Sequence, residues 1–232
     1  MEKEVWKSSN KKVNTKGLFN SMNLIIFDLD GTIEDSRLDM SLSVNRVRKL
    51  YQLPELPIDA IQSLVNKGMD FLYRNCFPEL VHKEIPSDLI FKYEMDYGQH
   101  IVDHTKIYEG MDTVIKTLSE NHCLFVYTNK PEKLSKLLLD KLGLLGYFTR
   151  VIGGDSFKES KPSPEPIQHV IKEIGINPKE IYVVGDTEAD IMTAKNLNAY
   201  AIWCKWGYSK NTPSITPDYI VTQPIDLLKI FF

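Results

Sequence analysis

Leu24-Ile25-Ile26-Phe27-Asp28-Leu29-Asp30-Gly31-Thr32 is the stretch on which the architecture turns. A short apolar run reads as a buried strand, and it passes straight into two acids separated by one residue. Two carboxylates this close repel, and burying either is costly unless a cation compensates. A helix cap or a turn accounts for one acid, but not for two flanking Leu29 at the end of a buried strand. Gly31 suits a turn that needs positive φ, and Thr32 can cap or hydrogen-bond locally.

Outward from this strand, taken as residues 23–27, similar runs recur at 123–127, 150–152, 181–184, 200–204 and 218–221. Helical patterns separate them. Met111, Val114, Ile115 and Leu118 have the spacing of one helix face. Leu134, Leu137, Leu138 and Lys141 continue the pattern in a helix opened by Pro131 and ending near Gly143. Ile167, Val170, Ile171 and Ile174 form a third stripe closed by Gly175, and a fourth helix is expected from 188 to 197. Strands alternating with helices predict a Rossmann-like α/β fold, a doubly wound parallel sheet covered on both faces, because parallel neighbours need crossover connections.

Residues 37–106 break the alternation. Helical stripes (Leu42, Val47, Leu50; Ile61, Leu64, Val65; Leu72, Cys76) are punctuated by Pro54, Pro57, Pro78 and Pro86, with no clear strand. This predicts an inserted helical domain over 37–106, with the α/β core made from 22–36 and 107–232. Residues 1–21 are polar, lysine-containing and without periodicity, and are expected to form a flexible tail.

The 232 residues suffice for one large domain or a core with a modest insertion. With 28 Lys plus Arg against 31 Asp plus Glu, the net charge of -3 is too balanced for an electrostatic nucleic-acid or membrane-surface binder. A small-molecule ligand is the better expectation. No apolar run approaches the roughly 20 residues of a membrane span. The first 22 residues lack the apolar stretch of a secretory signal, so a cytoplasmic protein is expected. Cys76, Cys123 and Cys204 are odd in number and far apart, and read as reduced, buried thiols.

In an open parallel sheet, ligands bind at the carboxyl ends of the strands, and three more polar clusters fall there. Tyr127-Thr128-Asn129-Lys130-Pro131 precedes a helix, where a hydroxyl and free backbone N–H groups make a phosphate cradle or an ordinary cap. Ser160-Lys161-Pro162-Ser163-Pro164 holds one lysine between prolines. Val184-Gly185-Asp186-Thr187-Glu188-Ala189-Asp190 puts Asp186 at a strand end and Asp190 one helical turn on. Magnesium commonly takes one or two protein carboxylates with phosphate and water. Asp186 is therefore a candidate direct ligand, and Asp190 a direct or indirect one.

In order and spacing the four clusters resemble the motifs of the haloacid dehalogenase-like hydrolase superfamily, over essentially the whole chain from Asn23. The helical insertion after the first motif resembles the cap of the phosphoglycolate phosphatase-like branch. So do Asn66-Lys67-Gly68, Tyr108-Glu109-Gly110-Met111, Gly153-Gly154-Asp155-Ser156 and Trp206-Gly207-Tyr208. The resemblance implies a magnesium-dependent phosphoric monoester hydrolase acting on a small phosphorylated metabolite, with 2-phosphoglycolate as a candidate. It implies Asp28 as nucleophile forming an aspartyl-phosphate and Asp30 as general acid and base, a role calling for a carboxyl raised toward neutrality. It further implies Thr128, Asn129 and Lys161 around the phosphate. Mg2+ would be held by Asp28, the Asp30 backbone carbonyl, Asp186 and Asp190. Lys67 and Arg74 are cap candidates for a substrate carboxylate or second phosphate.

One departure is Glu34, where relatives usually carry an apolar residue, and an acid there could alter substrate preference. A monomer or homodimer is expected, without nucleic-acid or membrane partners. Alternatives sharing the motifs are a phosphomutase acting on a sugar phosphate, a pyrophosphatase or nucleotidase, and a phosphonate hydrolase using a cap lysine. A dehalogenase needs neither the second acid nor the metal. A non-enzymatic binder would have no reason to keep the clustered acids.

Overall fold

The computed structural model describes residues 22–209 and 211–232. The tail expected over 1–21 lies outside the described residues. Strand β1 (Leu24–Phe27) occupies the interior of a six-stranded parallel sheet with β4 (Cys123–Tyr127), β5 (Arg150–Ile152), β6 (Ile181–Gly185), β7 (Tyr200–Cys204) and β8 (Tyr219–Val221). The order is β5-β4-β1-β6-β7-β8. Leu24 pairs with Cys123 on one side and Ile181 on the other. All six expected strands are present within a residue of their expected bounds.

The apolar run of β1 does not alternate because both faces of the sheet are covered. Ile25 and Phe27 join Leu124, Val126 and Val184 in the core on one face. Leu24 and Ile26 join Phe125, Val183 and Trp203 on the other. Met111, Val114, Ile115 and Leu118 are all fully buried on one side of the helix Met111–Ser119. The other crossover helices are Glu132–Lys141, Glu165–Ile174 and Glu188–Asn196.

Between β1 and β4 the chain makes helices Arg37–Leu50, Ile58–Gln62, Met69–Cys76 and Ser87–Gln99. A two-stranded antiparallel ribbon, β2 (Glu34–Asp35) and β3 (Lys106–Ile107), brackets them, with Glu34 opposite Ile107 and Asp35 opposite Lys106. Two-residue strands carry no periodicity, which is why the sequence gives no sign of them. Asp39, buried in the first turn of Arg37–Leu50, accepts the N–H groups of His104 (2.9 Å) and Thr105 (2.8 Å), joining the outgoing and returning chain.

The stripe expected on Arg37–Leu50 needs correction. Its buried apolar side chains are Met40, Val44 and Val47, whereas Leu50 is 63% exposed. Polar residues obscure the stripe because several are buried beside it. The Asn45 side chain bonds both the N–H and the carbonyl of Leu56, and Arg48 donates to the carbonyls of Pro54 and Cys76 and to Glu79. Cys76, Cys123 and Cys204 are free and buried. Among the described residues, no helix is long and apolar enough to cross a membrane.

Candidate active site

The site forms at the carboxyl ends of β1, β4 and β6. The Asp28 N–H extends the ladder to the Val184 carbonyl at 2.8 Å, and the chain then turns, with the N–H of Ile33 on the Leu29 carbonyl at 2.9 Å. Gly31 permits this turn at φ +83°, and a Cβ there would lie 2.8 Å from an Asp186 carboxylate oxygen. Both a side chain and an L-residue backbone preference would thus spoil the acid cluster.

Asp186 follows β6. Its Oδ2 accepts the N–H groups of Tyr208 (2.7 Å) and Ser209 (3.2 Å), and Oδ1 accepts the Thr32 hydroxyl at 3.4 Å. Gly207 allows that approach, since a Cβ would meet Asp186 at 2.2 Å. Trp206 fixes the same loop by donating its indole N–H to the Thr32 carbonyl at 3.1 Å. The Trp206-Gly207-Tyr208 phrase is therefore the support of Asp186. Asp190 lies in the first turn of Glu188–Asn196, where its Oδ2 accepts the Thr187 N–H (3.0 Å) and hydroxyl (2.6 Å) in a capping box.

Lys161 is almost fully buried, with Nζ 2.6 Å from Asp28 Oδ1 and 2.6 Å from Asp190 Oδ1. The carboxylates of Asp28, Asp186 and Asp190 lie within 4.8 Å of one another, all buried. Burial pushes the Asp28 carboxyl well above its ordinary range, with Lys161 opposing and Asp190 and Asp186 adding repulsion. Burial and the charge of Asp190 likewise push Asp186 to about 6, against the two N–H groups it accepts. One ammonium leaves three buried carboxylates undercompensated, and an all-oxygen donor set of this kind suits a hard divalent cation. The residues present therefore fit a divalent metal.

The Asp30 carboxylate is not part of that cluster. Its Oδ1 lies 2.6 Å from Lys130 Nζ and accepts the Ser36 hydroxyl at 2.5 Å. Burial alone would raise this carboxyl, but the charge and hydrogen bond of Lys130, with the Ser36 bond, hold it below its ordinary value. The expectation of a raised Asp30 is thus corrected. The sequence reading missed Lys130, which looks in sequence like any lysine beside a helix start.

Glu34 is fully buried beside Asp30; no donor among the described residues reaches its carboxylate, and the group it can bond is the Asp30 carboxylate. Burial, the Asp30 charge and a hydrogen bond to Asp30 push its carboxyl well up, against the charge of Lys130.

Asp28, Asp30, Thr128, Asn129, Lys130, Lys161 and Thr187 line a small cavity of about 30 Å³, closed by Met40, Val65, Gly68 and Met69 of the helical insertion. Asn129, Lys161, Gly68 and Met69 also line an adjoining cavity of about 370 Å³ that includes Lys67. Arg74 lines neither cavity. Asp70, four residues earlier on the same helix, accepts its guanidinium at 2.7 Å, so the structure gives no support to Arg74 as a substrate contact.

The chain belongs to the haloacid dehalogenase-like hydrolase family, whose model matches residues 25–204. It is 34% identical over 210 residues to a phosphoglycolate phosphatase of Aquifex aeolicus, covering 90% of this chain and 96% of that one. It is 33% identical over 190 residues to a phosphoglycolate phosphatase of Chromobacterium violaceum, covering 80% and 86%. The crystal structure of a predicted phosphoglycolate phosphatase from Haemophilus somnus superposes with a TM-score of 0.77 at 29% identity, covering 91% of this chain and 98% of that one.

Proposed function

We propose that the protein is a magnesium-dependent phosphatase that hydrolyses a small phosphomonoester, foremost 2-phosphoglycolate, by way of an aspartyl-phosphate on Asp28. The observation that carries this reading is the convergence of Asp28, Asp30, Thr128, Asn129 and Lys161 on one cavity beside a cluster of undercompensated acids. The relatives named above support the choice of substrate.

In the first step, an Asp28 oxygen attacks phosphorus, the ester P–O bond breaks, and Asp30, which must first take up a proton against the pull of Lys130, gives that proton to the departing oxygen. In the second, water attacks the phosphoryl group, its proton passes to Asp30, and Asp28 is released with inorganic phosphate. Lys161 holds the Asp28 oxygen in place and offsets negative charge on the transferring group, while Thr128 and the Asn129 N–H bind the non-transferring oxygens. Magnesium would be held by Asp28, Asp186, Asp190 and the Asp30 backbone carbonyl, and when bound it neutralises the phosphate and the acids that face it.

Residues 37–106 act in this reading as a cap over a core of 22–36 and 107–232, excluding water from the cavity that Val65, Gly68 and Met69 close. Lys67, on the wall of the adjoining cavity, is the cap residue assigned to the carboxylate of the substrate. The buried thiols support a reducing compartment, the cytoplasm.

The test is phosphate release from 2-phosphoglycolate, pyrophosphate, nucleoside monophosphates, sugar phosphates and p-nitrophenyl phosphate, with magnesium or EDTA. Preference for 2-phosphoglycolate that EDTA abolishes is expected. Preference for another ester rejects the substrate, and no release from any of them rejects the phosphatase.

A further inference from the structure

Lys130 has an environment that phosphate binding does not explain. Its ammonium is buried and sits between two parts of the chain far apart in sequence. Toward the core it lies 2.6 Å from Asp30 Oδ1 and 3.5 Å from the Ser36 hydroxyl, which itself donates to Asp30. Toward the insertion it donates to the hydroxyl of Tyr97 at 2.8 Å. Tyr97 is fully buried near the end of Ser87–Gln99 and stacks on Tyr93, which meets Tyr73 edge to face at 5.4 Å. The position of the Asp30 carboxylate is thus fixed by a lysine whose other bond runs to a buried aromatic cluster in the helical insertion.

We propose that Lys130 and Tyr97 are positioning residues for Asp30, aiming its carboxyl at the leaving oxygen only while Ser87–Gln99 is docked against the core. This rests on the phosphatase reading and on Asp30 as its acid. A carboxylate free to rotate loses the geometry that proton transfer demands, whereas Lys130 and Ser36 both hold Asp30 Oδ1 and so fix the direction in which the carboxyl points. Tyr97 in turn fixes where the ammonium sits.

The test compares kcat/KM for 2-phosphoglycolate, whose alkoxide must be protonated as it leaves, with that for p-nitrophenyl phosphate, whose leaving group departs as a stable anion. The ratio of the two is independent of the fraction of active protein, so a defect in folding alone leaves it at the wild-type value. Asp30→Asn calibrates the scale and is expected to lower the ratio by about 100-fold, the size of a lost general acid. Lys130→Met is expected to lower it by about 30-fold, and Tyr97→Phe, which deletes a single hydroxyl from the apolar cluster, by about five-fold.

A ratio that falls for Asp30→Asn but stays at the wild-type value in Lys130→Met and Tyr97→Phe overturns the proposal alone. A ratio unchanged even in Asp30→Asn removes Asp30 as the acid, and the proposal with it. A wild-type protein inactive on both esters overturns the phosphatase reading itself.

Discussion

Replacing Glu34 by leucine should make the protein more stable, by an amount that grows with pH. The carboxyl is fully buried, and no donor among the described residues reaches either oxygen. A buried carboxyl short of hydrogen-bond partners costs about 1–3 kcal/mol, and leucine, of similar volume, removes it. A second contribution comes from protonation. The folded state holds the Glu34 proton well above the ordinary glutamate value of 4.5, while the unfolded chain releases it near that value. Between the two values the folded state binds more protons than the unfolded one, so wild-type stability falls as pH rises through this window, by up to about 1.4 kcal/mol per pH unit. Below 4.5 the contribution is fully present, and it is lost by the time pH passes the folded value. At pH 7 the variant should therefore exceed the wild type by at least about 2 kcal/mol, or about 4–8 °C in Tm for a chain of this size. The assay is urea unfolding in EDTA from pH 4.5 to 7.5 for the wild type, Glu34→Leu and Glu34→Gln. The glutamine variant should lose the pH dependence but keep part of the cost, because its amide is as buried as the acid it replaces. A gap between leucine and wild type that is the same at pH 5 and pH 7, or a leucine variant less stable than wild type, would refute the account of Glu34 as a buried acid whose proton is held above its ordinary range.

Asp28→Asn should keep the circular dichroism of the wild type and reduce phosphate release below about 10⁻³ of it, since an amide cannot form the acyl-phosphate. Magnesium at about 100 times its Kd should add about 2.7 kcal/mol of stability. The effect is read as a rise in Tm at pH 7.5, and it should shrink below about pH 6 because Asp186 is then protonated. A Tm indifferent to magnesium at pH 7.5 would count against the acid cluster as a metal site. Lys67→Gln should raise KM for 2-phosphoglycolate about ten-fold, the worth of one charge-assisted contact, with p-nitrophenyl phosphate as the comparison. Equal changes for both esters would remove Lys67 from carboxylate recognition.

The sheet was legible because its strands are buried on both faces, so each appears as an unbroken apolar run, and the two acids after β1 mark a strand end facing a cavity. Asp28, Asp186, Asp190 and Lys161 meet in space as their places at strand ends and helix starts suggest. Three features were out of reach for different reasons. The β2 and β3 strands are too short for a period. The inward side of Arg37–Leu50 is mixed, because Asn45 and Arg48 are satisfied by backbone carbonyls and need no solvent. Lys130 becomes distinctive only through Tyr97 and Asp30, which are far from it in sequence. The Arg74–Asp70 pair, by contrast, was readable in principle, since Asp70 precedes Arg74 by one helical turn.

The ribbon at the root of the insertion has an evolutionary consequence. Because Asp35 and Lys106 are ladder partners, the seventy residues between them leave and rejoin the core at almost one point. A tight hairpin turn spans such a pair, so the excursion can be shortened, lengthened or exchanged without moving a single strand of the large sheet. Selection can thus rebuild the length and loops of the excursion while the strand ends that carry Asp28 and Asp186 keep their places, and a laboratory graft at this junction is an interchangeable cassette provided that it keeps the Tyr97 hydroxyl on Lys130.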